Sequence, residues 1–179
     1  MGLSIQWRTV FLAVAVLSLI DGCASKPARQ GVQPLSGQSI PVLNATCYPP
    51  VGWTPEPLKS SGRHDHQVWL SPSGHTAYGV IHFSLPLPVS ADVALWGFLR
   101  EMKRSEGAAE LIDKHTVSGE EGLRFEAVGG LYRIRGRMIT HGWQGWTIYA
   151  GTLVKQEIDT TELKTAEQAR DRTRTGTVE

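Results

Sequence analysis

Residues 122–154, GLRFEAVGGLYRIRGRMITHGWQGWTIYAGTLV, decide the fold of this chain. Three runs in this stretch are strand-like: GLRFEAV, LYRIRGRMIT and WTIYAGTLV. Side chains alternate between the two faces of a strand, and the apolar and polar residues of these runs follow that period. Glycine-rich connections separate the runs, as is typical of hairpins. With the similar run ELIDKHTV at 110–117 before them, they predict an antiparallel sheet.

Upstream, a further hairpin is predicted around SPSG, residues 71–74. The runs HQVWL and HTAYGVIHFSL flank this turn, and both have the apolar and aromatic composition of strands. These two strands precede the helix predicted after Ser90, and the strands of 110–154 follow it.

A first helix is predicted to begin after Ser90 as its N-cap and to end at Gly107. Four apolar residues at three-residue spacing predict its buried stripe: Val93, Trp96, Leu99 and Met102. Its charged residues are expected to face water: Arg100, Glu101, Lys103 and Arg104.

A second helix is predicted from the capping box Asp159-Thr-Thr-Glu162 to about Thr173. Leu163, Ala166 and Ala169 are its inward candidates, so it should pack thinly on the sheet. With the antiparallel strands, the two helices give an α+β class.

Composition excludes several classes of protein. A chain of 179 residues suits one domain, and a formal net charge of +1 predicts neither a nucleic-acid binder nor an acidic tail. Hydrophobic residues make up 41% of the chain, which excludes a disordered protein. Two cysteines are present, Cys23 and Cys47, and Cys47 is expected to be a buried free thiol.

The first residues predict export. One basic side chain, Arg8, precedes TVFLAVAVLSLI, whose length suits a secretory signal better than a membrane span. The segment Ile20-Asp21-Gly22-Cys23 that follows resembles the lipobox of bacterial lipoproteins. That resemblance implies lipidation of Cys23 and cleavage before it, although Asp21 departs from the family's pattern.

Two alternatives to lipidation remain open: ordinary cleavage after Ala24, or an uncleaved anchor. In Gram-negative lipoproteins, a residue other than Asp after the cysteine resembles the outer-membrane address, and Ala24 fits it. We therefore predict a signal peptide at 1–22, a lipidated Cys23 with a flexible tether at 23–39, and a single α+β domain at 40–179. The expected location is the outer membrane, facing the periplasm.

The order of the pieces resembles the Mog1/PsbP-like fold. PPVGW at 49–53 is followed by an apolar hairpin, a helix, antiparallel strands and a closing helix. The resemblance implies an antiparallel sheet flanked by helices, and it implies an accessory or binding role. It carries no catalytic residues.

Arg133, Arg135 and Arg137 alternate along one strand, so their guanidinium groups should share a face. Such a face could hold an anionic ligand or an acidic partner, as guanidinium groups match carboxylates and phosphates. The alternative is neutralisation by neighbouring carboxylates: a turn at Gly129-Gly130 would set Glu126 opposite Arg133.

Aromatic and histidine residues give two further candidate sites. Trp143 and Trp146 flank the HGWQG turn, where exposure would suit a ligand or a membrane surface, and packing at the sheet end is the alternative. Trp53, Trp69 and Trp96 are assigned to the core instead.

The histidine candidates are His64, His66 and His82, with His141 as another contributor. Nothing in their spacing fixes the three or four convergent ligands that zinc needs.

The sequence contains no GxSxG, HExxH, GxxxxGK[ST] or SxxK motif, which argues against the commonest hydrolases and kinases. We therefore expect a noncatalytic, lipid-anchored binding or accessory module, without a cofactor and without nucleic acid as a partner. An envelope enzyme that uses the histidines and a purely structural lipoprotein are the alternatives.

Overall fold

The protein is described by a computed structural model over residues 37–62 and 64–176. The signal peptide, Cys23 and most of the tether predicted from the sequence lie outside these ranges. No helix within them is long and apolar enough to cross a bilayer.

Eleven strands and two α-helices make up the described part of the chain. The strands are β1 Gln38–Ile40, β2 Ala45–Cys47, β3 Thr54–Pro55, β4 Lys59–Ser61, β5 His64–Leu70, β6 Thr76–Ser84, β7 Ala109–His115, β8 Leu123–Gly129, β9 Tyr132–His141, β10 Gln144–Leu153 and β11 Arg174–Thr175. The helices are α1 Ala91–Glu106 and α2 Thr160–Arg172. The strand runs and both helices predicted from the sequence are therefore present.

The main sheet has the order β3-β5-β6-β10-β9-β8-β7, with β4 also paired to β5, and all its pairings are antiparallel. Strands β7 to β10 are the consecutive hairpins that the alternating runs predict. Strand β6 pairs with β10, which joins the upstream hairpin to this group. Strands β1, β2 and β11 pair with one another in a second, smaller sheet of order β1-β2-β11.

Two hydrophobic clusters cover the two faces of the main sheet. On one face, called the α1 face here, Leu95, Phe98 and Met102 of α1 pack over β7, β8 and β9. On the other, called the α2 face, Ala166 and Ala169 of α2 pack over β10, β6 and β9 together with residues of β2. The sheet therefore lies between the two helices, as expected for the α+β class.

The predicted boundaries of α1 are confirmed: Ser90 caps the helix and Gly107 ends it in the left-handed conformation. Its predicted buried stripe is confirmed at Met102 and wrong at Val93 and at Trp96, which was also assigned to the core, while Glu101 is buried although it was expected to face water. The buried residues are Ala94, Leu95, Phe98, Glu101 and Met102. Val93 and Trp96 are exposed, and the guanidinium of Arg100 lies 5.5 Å from the Trp96 ring. A three-residue step falls about 60° short of a full helical turn, so a strict three-residue spacing winds around the helix.

Helix α2 begins as predicted, because the Asp159 carboxylate accepts from the amides of Thr161 and Glu162. The reciprocal half of the capping box is replaced by a tertiary contact. Glu162 accepts from the hydroxyl of Ser73, at 2.6 Å, and thereby ties α2 to the β5–β6 turn. Cys47 is a buried free thiol as predicted, and burial raises its pKa to about 11.

Candidate functional site

The three arginines of β9 share the α2 face, but their partners differ from the prediction. Glu126 pairs in register with Arg135, and Arg133 lies opposite Val128. The predicted pairing of Glu126 with Arg133 is wrong because the turn falls at Gly130-Leu131, one residue later than expected.

Helix α2 covers part of this arginine face. Arg135 Nε lies 3.1 Å from Glu126 Oε2, and its Nη1 lies 3.0 Å from Glu167 Oε1 of α2. Arg133 is 47% exposed and lies 3.7 Å from Glu126. The stripe therefore contains one largely exposed guanidinium and one held between two carboxylates.

Arg137 is 6% exposed and makes no ion pair within 4 Å among the described residues. Its guanidinium donates to the carbonyl oxygens of Asp171, at 3.4 Å, and Glu121, at 3.3 Å. Burial lowers the pKa of Arg137 from its ordinary value. This side chain braces the end of α2 against the loop before β8.

A groove of about 480 Å³ runs between α2 and this part of the sheet. Its basic residues are Arg124, Arg135, Lys164 and Arg170, and its acidic residues are Asp113, Glu126, Glu167 and Asp171. Because these formal charges balance, the groove offers no net positive field to an anion. This balance is consistent with the neutralisation that the sequence left as the alternative, and a ligand or partner at the arginine face stays a prediction.

The three histidine candidates lie on different faces. His64 and His66 are on the α1 face of β5, whereas His82 pairs with Asp65 in register and lies on the α2 face. The His82 ring stacks on Trp146 at 5.2 Å, and Ser61 Oγ hydrogen-bonds the His64 ring at 2.7 Å. Over the described residues, no group of three or more His, Cys, Asp or Glu could hold a metal ion.

The two tryptophans of the HGWQG turn have opposite environments. Trp143 is 60% exposed, so it is available to a partner or a surface. Trp146 is 1% exposed, and its Nε1 donates to the carbonyl oxygen of Leu43 at 2.8 Å. The alternation of side chains along β10 places Trp146 in the core on the α2 face, so Trp146 cannot contribute to a binding surface.

A cleft that the sequence did not predict lies on the α1 face, beyond the half covered by α1. Its lining comes from β5, β6, β9 and β10, from the segment 56–59 and from residues 74–75 of the β5–β6 turn. The apolar lining residues are Val68, Leu70, Ala77, Ile134 and Leu153, with the rings of Tyr132 and Tyr149. The cleft thus has the apolar walls that are typical of small-molecule sites, and its cavity volume of about 40 Å³ is well below the roughly 300–1,000 Å³ of such sites.

His66 and Tyr149 form a buried hydrogen-bonded pair in the cleft, whose other polar lining residues include Glu56, Lys59, His75 and Thr76. His66 is 3% exposed, and its Nε2 lies 2.9 Å from the hydroxyl of Tyr149. Burial, with smaller contributions from Lys59 and His64, lowers the pKa of His66 to about 3, so its imidazole is neutral at physiological pH. Nδ1 of His66 has no hydrogen-bond partner within the described ranges.

A glycine makes room for this pair. Tyr149 lies opposite Gly79 in register, and a Cβ atom at position 79 would lie 2.3 Å from Cζ of Tyr149. The tyrosine ring therefore lies flat across β6 and reaches His66 on β5. A glycine in an apolar strand is a signal of such close approach, and Gly79 in AYGVI was the signal available in the sequence.

No protein-family model matches the chain, and no curated protein matches it at a significant level. The fold is similar to the solution structure of cyanobacterial PsbP (CyanoP) from Synechocystis sp. PCC 6803, with a TM-score of 0.58 and 14% sequence identity. The match covers 86% of this chain and 99% of that chain. The similarity shows a PsbP-like fold for this chain.

Proposed function

We propose that this protein is a noncatalytic binding module of a bacterial envelope that holds its ligand in the cleft on the α1 face. The observation that carries the proposal is the cleft itself: apolar walls from four strands, with one buried His–Tyr pair in its lining. Preformed pockets with this balance of apolar and polar groups are the usual sites of small ligands.

In this proposal, the chain is exported and tethered through acyl chains on Cys23. The lipobox-like segment Ile20–Cys23 supports the anchor, and Ala24 supports the outer membrane facing the periplasm as its location. Residues 23–39 would then tether the domain to the bilayer.

The arginine face and Trp143 are proposed as secondary surfaces for an envelope protein or a small anionic ligand. Arg133 and Trp143 are the exposed members of the predicted set. The balanced charges around Arg135 favour the cleft as the primary site.

Intact mass of the membrane-fraction protein tests the anchor, with Cys23→Ser as the comparison. We expect the native form to begin at Cys23 with added acyl mass and the variant to lack that mass. A mature native chain that begins at Ser25 without lipid would contradict the anchor and would leave the cleft unaffected.

Gly151→Leu tests the cleft. Gly151 lines it, and the nearest atoms to a Cβ at this position lie at an ordinary 3.5 Å, so the added side chain should enter open space. Gly97→Leu is the matched control, because position 97 on α1 is exposed and a Cβ there meets nothing within 4 Å. Loss of ligand retention with Gly151→Leu alone is expected, and equal retention by both variants would refute a binding role for the cleft.

A further inference from the structure

The end of the main sheet at the β9–β10 turn carries three exposed apolar side chains from three separate segments. They are Val42, which is 41% exposed, Leu87, which is 55% exposed, and Trp143, which is 60% exposed. The amide of Leu85 donates to the carbonyl oxygen of Trp143 at 2.8 Å. Asn44 Nδ2 donates to Gln144 Oε1 at 3.0 Å. These hydrogen bonds bring the three segments together at one place, which is named the Trp143 end after its tryptophan.

The segments around these side chains are uncharged. Residues 38–55, 83–91 and 142–154 contain no Asp, Glu, Lys, Arg or His. Insertion into the boundary of a bilayer is costly for a charged side chain and favourable for an apolar one. Tryptophan suits that boundary, because its ring is apolar and its indole N–H can hydrogen-bond water or head groups. The Trp143 end therefore fits a bilayer surface better than a protein partner, since protein interfaces usually have a polar rim.

The opposite end of the same strands also has exposed apolar residues, but charged groups lie beside them. Leu131 is 49% exposed, and its carbonyl oxygen accepts from the amide of Val154 at 2.9 Å. The carboxylate of Glu106 accepts from the amide of Leu131, and Lys155 follows Val154 in the chain. Strand β9 has 10 residues, so the two ends lie about 30 Å apart. A bilayer that contacts one end alone does not reach the other.

The proposed anchor joins the domain near the Trp143 end. Residues 24–36 separate Cys23 from Gly37, the first described residue. Covalent geometry limits a chain of this length to at most about 50 Å. Strand β1 then covers about 10 Å before the chain reaches Val42. A domain held this way can form a weak contact with the bilayer as an intramolecular one, because the anchor raises the effective concentration of the two surfaces.

The ionisable residue that precedes the β9–β10 turn does not favour an anionic surface. His141 Nε2 lies 2.8 Å from Glu121 Oε1, and both side chains are about half exposed. Attraction to anionic lipids needs clustered Lys or Arg side chains, which the three uncharged segments do not supply. The contact should therefore depend on apolar burial and not on the charge of the lipid.

We propose, building on the anchor given above, that the Trp143 end contacts the surface of a phospholipid bilayer. Val42, Leu87 and Trp143 enter the boundary between the head groups and the acyl chains, where interfacial proteins bury their apolar side chains. This inference assigns Trp143 to the bilayer and not to an envelope protein. It also orients the domain with Leu131 on the side away from the membrane.

Tryptophan fluorescence in brominated vesicles tests the proposal. The protein purified from the membrane fraction is reconstituted in phosphatidylcholine vesicles whose acyl chains carry bromine, which quenches nearby indole rings. We expect quenching in the wild type and its loss in Trp143→Phe. Trp96→Phe is the matched control, because Trp96 is 63% exposed on α1 and does not belong to the Trp143 end. This variant should be quenched as the wild type is.

Two leucine variants test the contact without changing a tryptophan. Leu87→Ser should lower the equilibrium constant for docking about fivefold, the change expected when half of a leucine side chain no longer leaves water. Leu131→Ser, with a similarly exposed leucine at the opposite end, should leave it unchanged. The quenching of Trp143 measures this equilibrium in both variants.

Salt and lipid charge test the physical basis of the contact. Quenching should be the same at low and high salt, and the same when phosphatidylglycerol replaces part of the phosphatidylcholine. A marked increase with the anionic lipid would contradict a contact made by apolar burial.

The outcomes separate this inference from the anchor and from the cleft. Protein that carries acyl mass but shows no quenching would overturn the inference, leave the anchor intact and leave Trp143 available to an envelope protein. Quenching that persists in Trp143→Phe and is lost in Trp96→Phe would overturn it in favour of the outer face of α1. A loss with Leu131→Ser as large as that with Leu87→Ser would also overturn it.

Protein without acyl mass that is still quenched by the vesicles would support the inference and refute the anchor. The absence of both acyl mass and quenching would refute both. None of these results depends on ligand retention, which tests the cleft.

Discussion

The ring of Tyr149 lies directly on the backbone of Gly79, close enough that a Cβ at position 79 would lie 2.3 Å from its Cζ. This contact holds the tyrosine hydroxyl 2.9 Å from Nε2 of His66, one strand further along the sheet. The geometry of the cleft therefore depends on the absence of a side chain at position 79.

Gly79→Ala is expected to destabilise the protein by about 1–3 kcal/mol, the usual range for forcing an extra methyl group into a packed site. The ring cannot remain in place, so the hydrogen bond to His66 is lost as well. Urea denaturation measures the change in the free energy of unfolding.

Gly97→Ala is the control for this substitution. Position 97 is open and helical, so the alanine should leave stability unchanged or raise it by up to about 1 kcal/mol. A Gly79→Ala variant as stable as the wild type would show that Tyr149 can move freely and would weaken the assigned cleft geometry.

Local patterns predicted most of the secondary structure and part of the site. The period-two runs of 122–154 gave strands β8 to β10, and Ser90 and Asp159 gave both helix starts. Local patterns could not predict the register, that is, which residues of neighbouring strands lie opposite each other. Because the β8–β9 turn lies one residue later than expected, Glu126 is opposite Arg135 and not opposite Arg133. Local sequence preferences do not decide whether the turn forms at Gly129-Gly130 or at Gly130-Leu131, so they do not decide the register.

The cleft could not be predicted because its residues come from strands distant in sequence. His66 and Tyr149 are 83 residues apart, and they meet because β6, with a glycine at position 79, lies between their strands. The sequence grouped His66 with His82 instead, and the strand register puts these two on opposite faces. The residue type alone made His66 a candidate, but its hydrogen-bond partner, Tyr149, is determined by how the strands pair.

Lowering the pH from 7 to 5 should destabilise the protein through His66. Its pKa is about 3 in the folded protein against an ordinary value of 6.5, so the unfolded chain binds the proton first as the pH falls. The free energy of unfolding should thus fall between pH 6.5 and 3, by about 2 kcal/mol from this residue at pH 5. The pKa of His64 is also lowered by burial and changes stability in the same direction.

His66→Gln isolates this contribution, because the amide does not titrate and can still hydrogen-bond Tyr149. Urea midpoints at pH 7 and pH 5 should differ less in the variant than in the wild type. The same difference in both proteins would mean that His66 is protonated in the folded state.

Trp146 and Trp143 should respond to substitution in opposite ways. Trp146→Ala removes a fully buried ring and the hydrogen bond to Leu43, so a loss of about 3–5 kcal/mol is expected. Trp143→Ala removes an exposed ring and should change stability by less than about 0.5 kcal/mol. Comparable losses for both, measured by thermal unfolding, would contradict the described orientation of the HGWQG turn.

The ion pair between Arg135 and Glu167 should contribute little to stability. Both side chains are partly exposed, and pairs of this kind contribute about 0.2–1 kcal/mol. A double-mutant cycle with Arg135→Gln and Glu167→Gln measures the coupling free energy. Arg133→Gln is the matched control, because the ion pair of Arg133 is with Glu126 of β8 and not with a residue of α2.

The coupling should shrink in part in 0.5 M salt, because the pair is partly exposed and its 3.0 Å separation is close to the Debye length of about 4 Å at that concentration. The wild type and Arg133→Gln should also bind inorganic phosphate equally weakly, since the surrounding groove has balanced charges. Phosphate binding that is strong in the wild type and lost in Arg133→Gln would instead make the arginine face an anion site. In that case Arg133, which is 47% exposed and lies 3.7 Å from Glu126, would select the ligand rather than Arg135, which is held between two carboxylates.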